Sequence, residues 1–200
     1  MSRRAPSLAI ACLAALLALS GCTLLNGPHP DPTQFFVLDA VAPPSGTASD
    51  LAIGLGPVSL PSYLDRPEMA RRVDENQIAY DSFRRWAEPL SSDFNRTIAA
   101  DLVQLLGPRR IELFPWLRTA KFDFVVVVSA SRFETQPDGS VMLAVRWTLR
   151  DETDTNRDVR VSTFTRPVAA PEQTAAAMSQ LVADLSQEIA QAIQAEVARR

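Results

Sequence analysis

The feature that most constrains the fold is an apolar run near the start of the chain, from Ala5 to Leu19, directly preceded by Arg3 and Arg4. Two positive charges followed by an apolar segment of this length are typical of a secretory signal peptide, which is removed after export. The run is too short to cross a bilayer comfortably, since a spanning helix needs about 20 apolar residues. The folded protein must therefore be built from the residues that follow.

A four-residue motif closes this segment, because Leu19-Ser20-Gly21-Cys22 matches the lipobox of bacterial lipoproteins at every position. Small side chains at Ser20 and Gly21 let the chain enter a peptidase cleft, and the Cys22 thiol is the nucleophile that takes up diacylglycerol. The motif predicts cleavage before Cys22 and three acyl chains on it, which anchor durably where a single chain is marginal. The alternative is an ordinary secretory signal with a chance cysteine. The residue after Cys22 indicates the destination of a lipoprotein, because an aspartate there is the usual signal for retention in the inner membrane. Thr23 occupies this position, which favours the outer membrane.

Cysteine usage limits how the exported domain can be stabilised. Cys12 lies in the discarded signal, so the mature chain keeps only Cys22, and acylation consumes that thiol. Without a disulfide, the residues from 22 to 200 must be stabilised by their core, and their number suits one domain. The mature chain is also more acidic than the full sequence. Removal of Arg3 and Arg4 with the signal leaves 18 of the 20 basic residues against 23 acidic ones, so the net charge changes from −3 to −5. This charge argues against a nucleic-acid partner and against adsorption flat on an anionic lipid surface.

The mature chain divides into a tether and one domain. Residues 22–33 contain three prolines within five positions, a composition typical of a semi-rigid extended spacer. We therefore predict a signal peptide over 1–21, a lipidated tether over 22–33 and a single domain over 34–200. A second, flexible link is predicted over 41–50, where proline, glycine, serine and threonine are frequent.

Eight segments carry strand patterns. In the clearest of them, 141–150, apolar residues alternate with mostly polar ones, as in a strand that is buried on one face. The preceding Pro137-Asp138-Gly139 favours a hairpin turn. The segment 122–133 is apolar on both faces in its middle, which is expected of a central strand. The predicted strands are Gln34–Asp39, Leu51–Val58, Glu68–Val73, Gln77–Tyr80, Arg110–Phe114, Phe122–Phe133, Val141–Arg150 and Arg157–Arg166.

Two segments carry a helical period. The first covers about 88–106 and the second runs from Pro171 to the C-terminus. Each has a single apolar stripe, so each should cover one face of a sheet. The stripes are Leu90, Phe94, Ile98, Leu102 and Leu105 in the first helix, and Met178, Leu181, Leu185, Ile189 and Ile193 in the second. The order of elements predicts an α+β fold, a two-layer α/β sandwich with a mainly antiparallel sheet and two helices packed on one face.

The sequence offers no set of residues for common catalytic chemistry. Its single histidine, His29, lies in the proline-rich tether, where neither a hydrolase site nor a histidine- or cysteine-based metal site has rigid support. The acidic residues within 151–158 lack the glycine turn and spacing of a calcium loop and are interpreted as a solvated hairpin. We predict a protein without catalytic activity, cofactor or metal. An enzyme that uses a carboxylate pair stays open as an alternative, because such a pair is a property of the fold.

Two longer motifs are distinctive when they occur in this order. The first reads G-P-V-S-L-P-S-Y-L-D-R-P over 56–67, and the second reads R-W-A-E-P-L over 85–90. Together with the lipobox, Phe36-Val37-Leu38 and Phe114-Pro115-Trp116, they resemble the PqiC family of ABC-type transport auxiliary lipoproteins, from about Phe35 to the second helix. The resemblance implies a periplasm-facing outer-membrane lipoprotein that works with an MCE-domain protein to move lipids between the inner and outer membranes. A homo-oligomer is expected, because one domain of this size cannot enclose a lipid conduit.

The two motifs supply the candidate site. We expect a partner-binding interface built from Pro61, Tyr63, Leu64, Asp65, Arg66, Pro67, Arg85, Trp86 and Glu88. Aromatic and arginine side chains dominate binding hot spots, which favours this interpretation. The alternative is a structural corner in which Tyr63 packs on Trp86 while Arg66 pairs with Asp65 or Glu88. At the level of function, the alternative is a structural or assembly lipoprotein of the outer membrane that has no part in lipid transport.

Overall fold

The computed structural model describes residues 31–117 and 119–200. The predicted signal peptide, Cys22 with its lipobox, His29 and the tether up to residue 30 lie outside the described residues. From Thr33 to Arg200 the chain forms one compact unit. Within the described ranges, no helix combines the length and the apolar character needed to cross a bilayer.

All eight predicted strands and both predicted helices are present among the described residues, with shifted ends. The strands are β1 (Gln34–Phe36), β2 (Ser49–Ser59), β3 (Glu68–Arg72), β4 (Ile78–Trp86), β5 (Pro108–Leu113), β6 (Phe124–Thr135), β7 (Val141–Asp151) and β8 (Asn156–Arg166). The helices are α1 (Leu90–Leu106) and α2 (Thr174–Val197), and short 3₁₀ turns cover Ser62–Leu64 and Pro171–Gln173.

The largest shift is at the end of β4. The sequence predicts that this strand ends at Tyr80, but the strand continues through Arg85 and Trp86, and α1 begins only at Leu90. The prediction is wrong here because β1 pairs in parallel with this part of β4, with Phe36 opposite Trp86, and extends its ladder. Such pairing between distant segments has no local signal in the sequence.

The sheet is open and mixed, which confirms the α+β class. Its strand order is β1-β4-β3-β6-β2-β5, with β7 on the other edge of β6 and β8 beyond it. The two longest ladders, β6–β7 and β7–β8, are antiparallel, as is β3–β4. In contrast, β2 pairs in parallel with both β5 and β6. The long connection through β3, β4 and α1 makes this possible, since parallel neighbours need a crossover.

One hydrophobic core lies between the sheet and the two helices. The apolar stripes predicted for α1 and α2 are buried, and the helices pack on each other and on the same sheet face. The alternation predicted for β7 is confirmed, with Trp147 fully buried at its middle. The Trp147 indole donates a hydrogen bond of 2.7 Å to Glu188 Oε1 on α2, so its polar atom is satisfied.

The segment 41–50 is not the flexible link that its composition suggests. The amide of Ala42 donates to Asp101 Oδ1 at 3.0 Å, and the amide of Gly46 donates to the Gln104 carbonyl at 2.9 Å, both on α1. A Cβ atom at Gly46 would lie 2.6 Å from the backbone just beyond α1, so only glycine permits this approach. The segment is therefore a strap bound along α1, which the prediction missed because its acceptors are distant in sequence.

Candidate functional site

The two motif segments meet in an open groove beside the start of α1. Residues 65–67 form one wall and residues 86–89 form the other. The walls are joined directly, because the Trp86 amide donates to the Pro67 carbonyl at 2.6 Å. The Ala87 amide donates to the Phe36 carbonyl at 2.9 Å, which ties the second wall to β1. The groove is thus held by backbone hydrogen bonds and does not depend on mobile side chains.

The groove brings together five of the nine residues predicted for the interface: Asp65, Arg66, Pro67, Trp86 and Glu88. It also includes Ala87 and Pro89, which the prediction omitted although they lie between and beside predicted residues. Trp86 is almost wholly buried and forms the floor. The lining of the groove is nevertheless mostly apolar, and Asp65, Arg66 and Glu88 supply its charged groups.

The other four predicted residues do not line the groove. Leu64 is buried in the hydrophobic core, and Pro61 and Tyr63 are half-buried before it. Arg85 faces the opposite side of β4 from Trp86, since neighbouring residues of a strand point to opposite faces. The nine residues are thus divided between one groove, the core and a second surface.

The charged side chains of the groove make other pairs than the sequence suggested. Arg66 Nε lies 3.4 Å from Glu68 Oε2, and its guanidinium stacks over the Tyr80 ring at 4.4 Å. Asp65 and Glu88, the two partners suggested by the sequence, form no ion pair with Arg66. Glu88 is instead bound by Arg96 at 2.5 Å. Arg66 is more than half exposed, so much of its hydrogen-bonding capacity faces solvent.

Tyr63 belongs to a buried polar network behind the groove. Its hydroxyl donates to Glu134 Oε2 at 2.8 Å, and the Nε atoms of Arg72 and Arg132 donate to Glu134 Oε1 at 2.9 and 3.2 Å. Glu134 is only 1% exposed. No ring contact joins Tyr63 to Trp86 among the residues that the structure describes, which corrects that part of the structural-corner alternative.

Glu134 was not predicted from the sequence as a structural residue. The available signal was a single acidic residue directly after the apolar pattern of the central strand, which we ended at Phe133. Burial opposes ionisation of this carboxyl group, but hydrogen bonds from Tyr63, Arg72 and Arg132 outweigh it and hold the pKa of Glu134 below its ordinary value. The network therefore contains a buried carboxylate that the surrounding donors keep charged.

Comparison with known proteins decides the family. The family model for the ABC-type transport auxiliary lipoprotein component matches residues 36–190, which include both walls of the groove and the buried network. The chain belongs to this family. The resemblance to the PqiC family that the two motifs indicated is thereby confirmed. No curated protein sequence matches this family member significantly.

Solved structures share the fold of this family member at low sequence identity. The crystal structure of an uncharacterized protein matches at a TM-score of 0.66 and 17% identity, covering 80% of this chain and 98% of that one. A Xanthomonas campestris protein of the DUF330 family matches at 0.70 and 13%, covering 83% and 99%. A PelC dodecamer subunit from Paraburkholderia phytofirmans reaches a TM-score of only 0.39, at 17% identity over 70% of this chain and 90% of that one.

The groove of this auxiliary lipoprotein combines a mostly apolar lining with charged groups of both signs. It presents a guanidinium and two carboxylates at fixed positions, and no histidine or cysteine lies in its walls. In the parts of the chain that the structure describes, no three histidine, cysteine or acidic residues are arranged to hold a metal ion. In the acidic hairpin, Asp151 accepts hydrogen bonds from Thr153 and Thr155 and pairs with Arg157, so its oxygens close the turn.

The Tyr63 phenol is expected to lose its proton only at unusually high pH. Burial, and then the hydrogen bond to Glu134 and its charge, raise the pKa of Tyr63 to about 12. A phenol whose pKa rises on folding stabilises the folded state below its unfolded value near 10, and this contribution disappears as the pH rises towards 12. In a pH titration followed by tyrosinate absorbance, the wild type should show a component near pH 12. Tyr63→Phe should lose this component, and Tyr80→Phe should retain it. A Tyr63 component with a midpoint near 10 would contradict the contact with Glu134.

Proposed function

We propose that this protein is a non-catalytic auxiliary subunit of an ABC-type system in which an MCE-domain partner moves lipids between the inner and outer membranes. The observation that supports it best is the groove. The two motifs on which the family resemblance rests are separated in sequence, yet residues 65–67 and 86–89 line one surface. Membership of a family of transport auxiliary components supports a role in a transport complex. The MCE partner and the lipid cargo follow from the resemblance.

The chemistry of the groove supports binding in place of catalysis. Its lining is mostly apolar, as in a surface that a partner covers, and its charged groups of both signs can orient that partner and set specificity. We further propose an anchor at Cys22 in the outer membrane and a domain over 34–200 that faces the periplasm. A homo-oligomer completes the proposal, since a single domain of this size cannot surround a lipid.

The proposal is tested by capturing the partner of the groove. A photo-crosslinking amino acid is placed at position 66 of the tagged full-length protein, and crosslinked proteins are recovered from membranes and identified by mass spectrometry. The matched control carries the crosslinker at position 109, an exposed arginine of β5 beyond the far end of α1, which is about 25 Å long. We expect an MCE-domain protein from position 66 and not from position 109.

Arg66→Ala is expected to weaken this capture without unfolding the domain. Truncation of a hot-spot arginine costs about 2 kcal/mol or more, so recovery of the partner should fall at least about tenfold. The Arg66–Glu68 contact is long, at 3.4 Å, and Arg66 is more than half exposed, so the melting temperature should change little. Arg109→Ala should change neither quantity. Unchanged capture together with a large loss of melting temperature would contradict an interface here.

The alternative, a structural or assembly lipoprotein, makes a different prediction in the same experiment. An outer-membrane assembly factor captured from position 66 would favour that function, and the groove would still be an interface. Capture of the protein's own copies from position 66 would place the homo-oligomer contact in the groove. Neither result would support an MCE partner.

A further inference from the structure

Two phenylalanine side chains are exposed at the β1–β4 edge of the sheet. Phe35 is 66% exposed and is the register partner of Arg85, and Phe83, two residues before Arg85, is 54% exposed. Val37, two residues after Phe35, is also exposed. A soluble domain rarely leaves large apolar groups adjacent in this way unless the patch contacts something. These four residues are called the edge patch below.

The arginine in the middle of the patch has donors to spare. Arg85 makes one ionic contact with another described residue, from Nη2 to Glu68 Oε1 at 3.7 Å, which is too long for a strong hydrogen bond. Its Nε is buried without an acceptor among the described residues, so the donors that can reach a ligand are those of the two Nη atoms of this partly exposed side chain. A guanidinium with free donors, flanked by aromatic rings, suits a phosphate oxygen bordered by apolar material. A phospholipid surface supplies both groups together.

The position of the patch in the chain indicates which surface this is. Phe35 is thirteen residues after Cys22, and a fully extended chain of that length spans at most roughly 45 Å. A lipid anchor at Cys22 therefore keeps the patch permanently near a bilayer, where even a weak contact is favoured by the high effective concentration. The net negative charge of the domain opposes adsorption on anionic lipid, so a contact of few residues around one arginine suits a zwitterionic surface.

We propose that the edge patch rests on the bilayer that holds the acyl chains of Cys22, with Phe35 and Phe83 in the interfacial region and Arg85 bound to lipid phosphate. The inference depends on the anchor in the proposed function, but not on the transport partner.

A second apolar surface competes for this role, since Leu117 is 78% exposed in the loop after β5. The edge patch is preferred because it directly follows the tether, and the entropy cost of closing a loop rises with its length. The strands β1 and β5 lie at opposite ends of the strand order, so labels in the edge patch and in the loop after β5 report on different surfaces.

The test uses the lipidated protein in vesicles of phosphatidylcholine and phosphatidylethanolamine. Acylation blocks the only thiol of the mature chain, so an introduced cysteine can be labelled uniquely with bimane. Three labelled variants are compared: Phe83→Cys in the patch, Leu117→Cys in the competing loop, and Val161→Cys on β8 as an exposed control. Quenching by lipids with a headgroup nitroxide should be at least about twofold stronger at position 83 than at 117 or 161. Phe35→Ser with Arg85→Glu should remove that difference while the vesicles still retain the protein.

The possible results distinguish a wrong membrane contact from a missing anchor. Stronger quenching at position 117, or equal quenching at all three positions, would overturn the edge patch as the membrane contact. Protection of position 83 that appears in detergent and grows with protein concentration would assign the patch to a second copy, and would overturn it too. Protein that fails to remain on vesicles at all would show that the anchor is absent, which refutes the proposed localisation and the inference together. Capture of the transport partner is read independently at position 66.

Discussion

Replacing Glu134 with alanine is expected to lower the free energy of unfolding by about 3–5 kcal/mol, because it removes one side of a buried charge network. The substitution leaves the Tyr63 hydroxyl and the Arg72 guanidinium, only 14% exposed, without their shared acceptor. Water can reach neither group fully, so most of the lost interaction is not recovered. For a domain of this size, the melting temperature should fall by about 10 °C or more. Urea denaturation and thermal melting measure the effect.

A matched substitution shows whether burial is the cause. Glu112 also binds an arginine, Arg110, at 2.7 Å, but both side chains are more than a third exposed. Glu112→Ala should therefore cost less than about 1 kcal/mol. Equal losses in Glu134→Ala and Glu112→Ala would contradict the structural importance of the network. Glu134→Gln should fall between them, since it keeps one acceptor oxygen and loses the charge.

The elements of this fold could be predicted because their patterns are local. Both helices and the long central strands have a period of apolar residues that reports which face is buried, and β7 is the clearest case. The end of β4 could not be placed, because Arg85 and Trp86 are extended through contacts with β1 and with residues 67 and 68, all distant in sequence. The choice of partner strand, and with it the parallel part of the sheet, depends on contacts between segments far apart in sequence.

The candidate site was predicted in part for the same reason. The motif residues Asp65 to Pro67 and Trp86 to Glu88 do share a groove, as their joint occurrence suggested. Residue type alone could not tell that Arg85 points away from Trp86, since that depends on which residues of the motif form strand. Nor could it connect Tyr63 with Glu134, which are 71 positions apart. Buried polar contacts of this kind become visible only when the fold brings their elements together.

Substitution of Asp101 is also expected to lower the free energy of unfolding strongly, because Asp101 links the strap over 41–50 to both helices. It is fully buried on α1, accepts from the Ala42 amide at 3.0 Å and from the Ser186 hydroxyl of α2 at 3.3 Å. Asp101→Ala leaves both donors without this acceptor and opens a small void, so we expect a loss of about 2–4 kcal/mol. Asp50 is an exposed aspartate where the strap enters β2, and Asp50→Ala should cost less than about 0.5 kcal/mol.

Asp101→Asn separates the hydrogen bonds from the charge. Burial raises the pKa of Asp101, so the folded state binds its proton more tightly than the unfolded state does. Wild-type stability from this group therefore falls as the pH rises from the unfolded value of 3.8 through the raised folded value. Asparagine keeps an acceptor oxygen and has no charge to bury, so its stability relative to the wild type should improve between pH 4 and pH 7 in urea denaturation. If Asp101→Ala were as stable as Asp101→Asn at neutral pH, the acceptor would not be what holds the strap to α1.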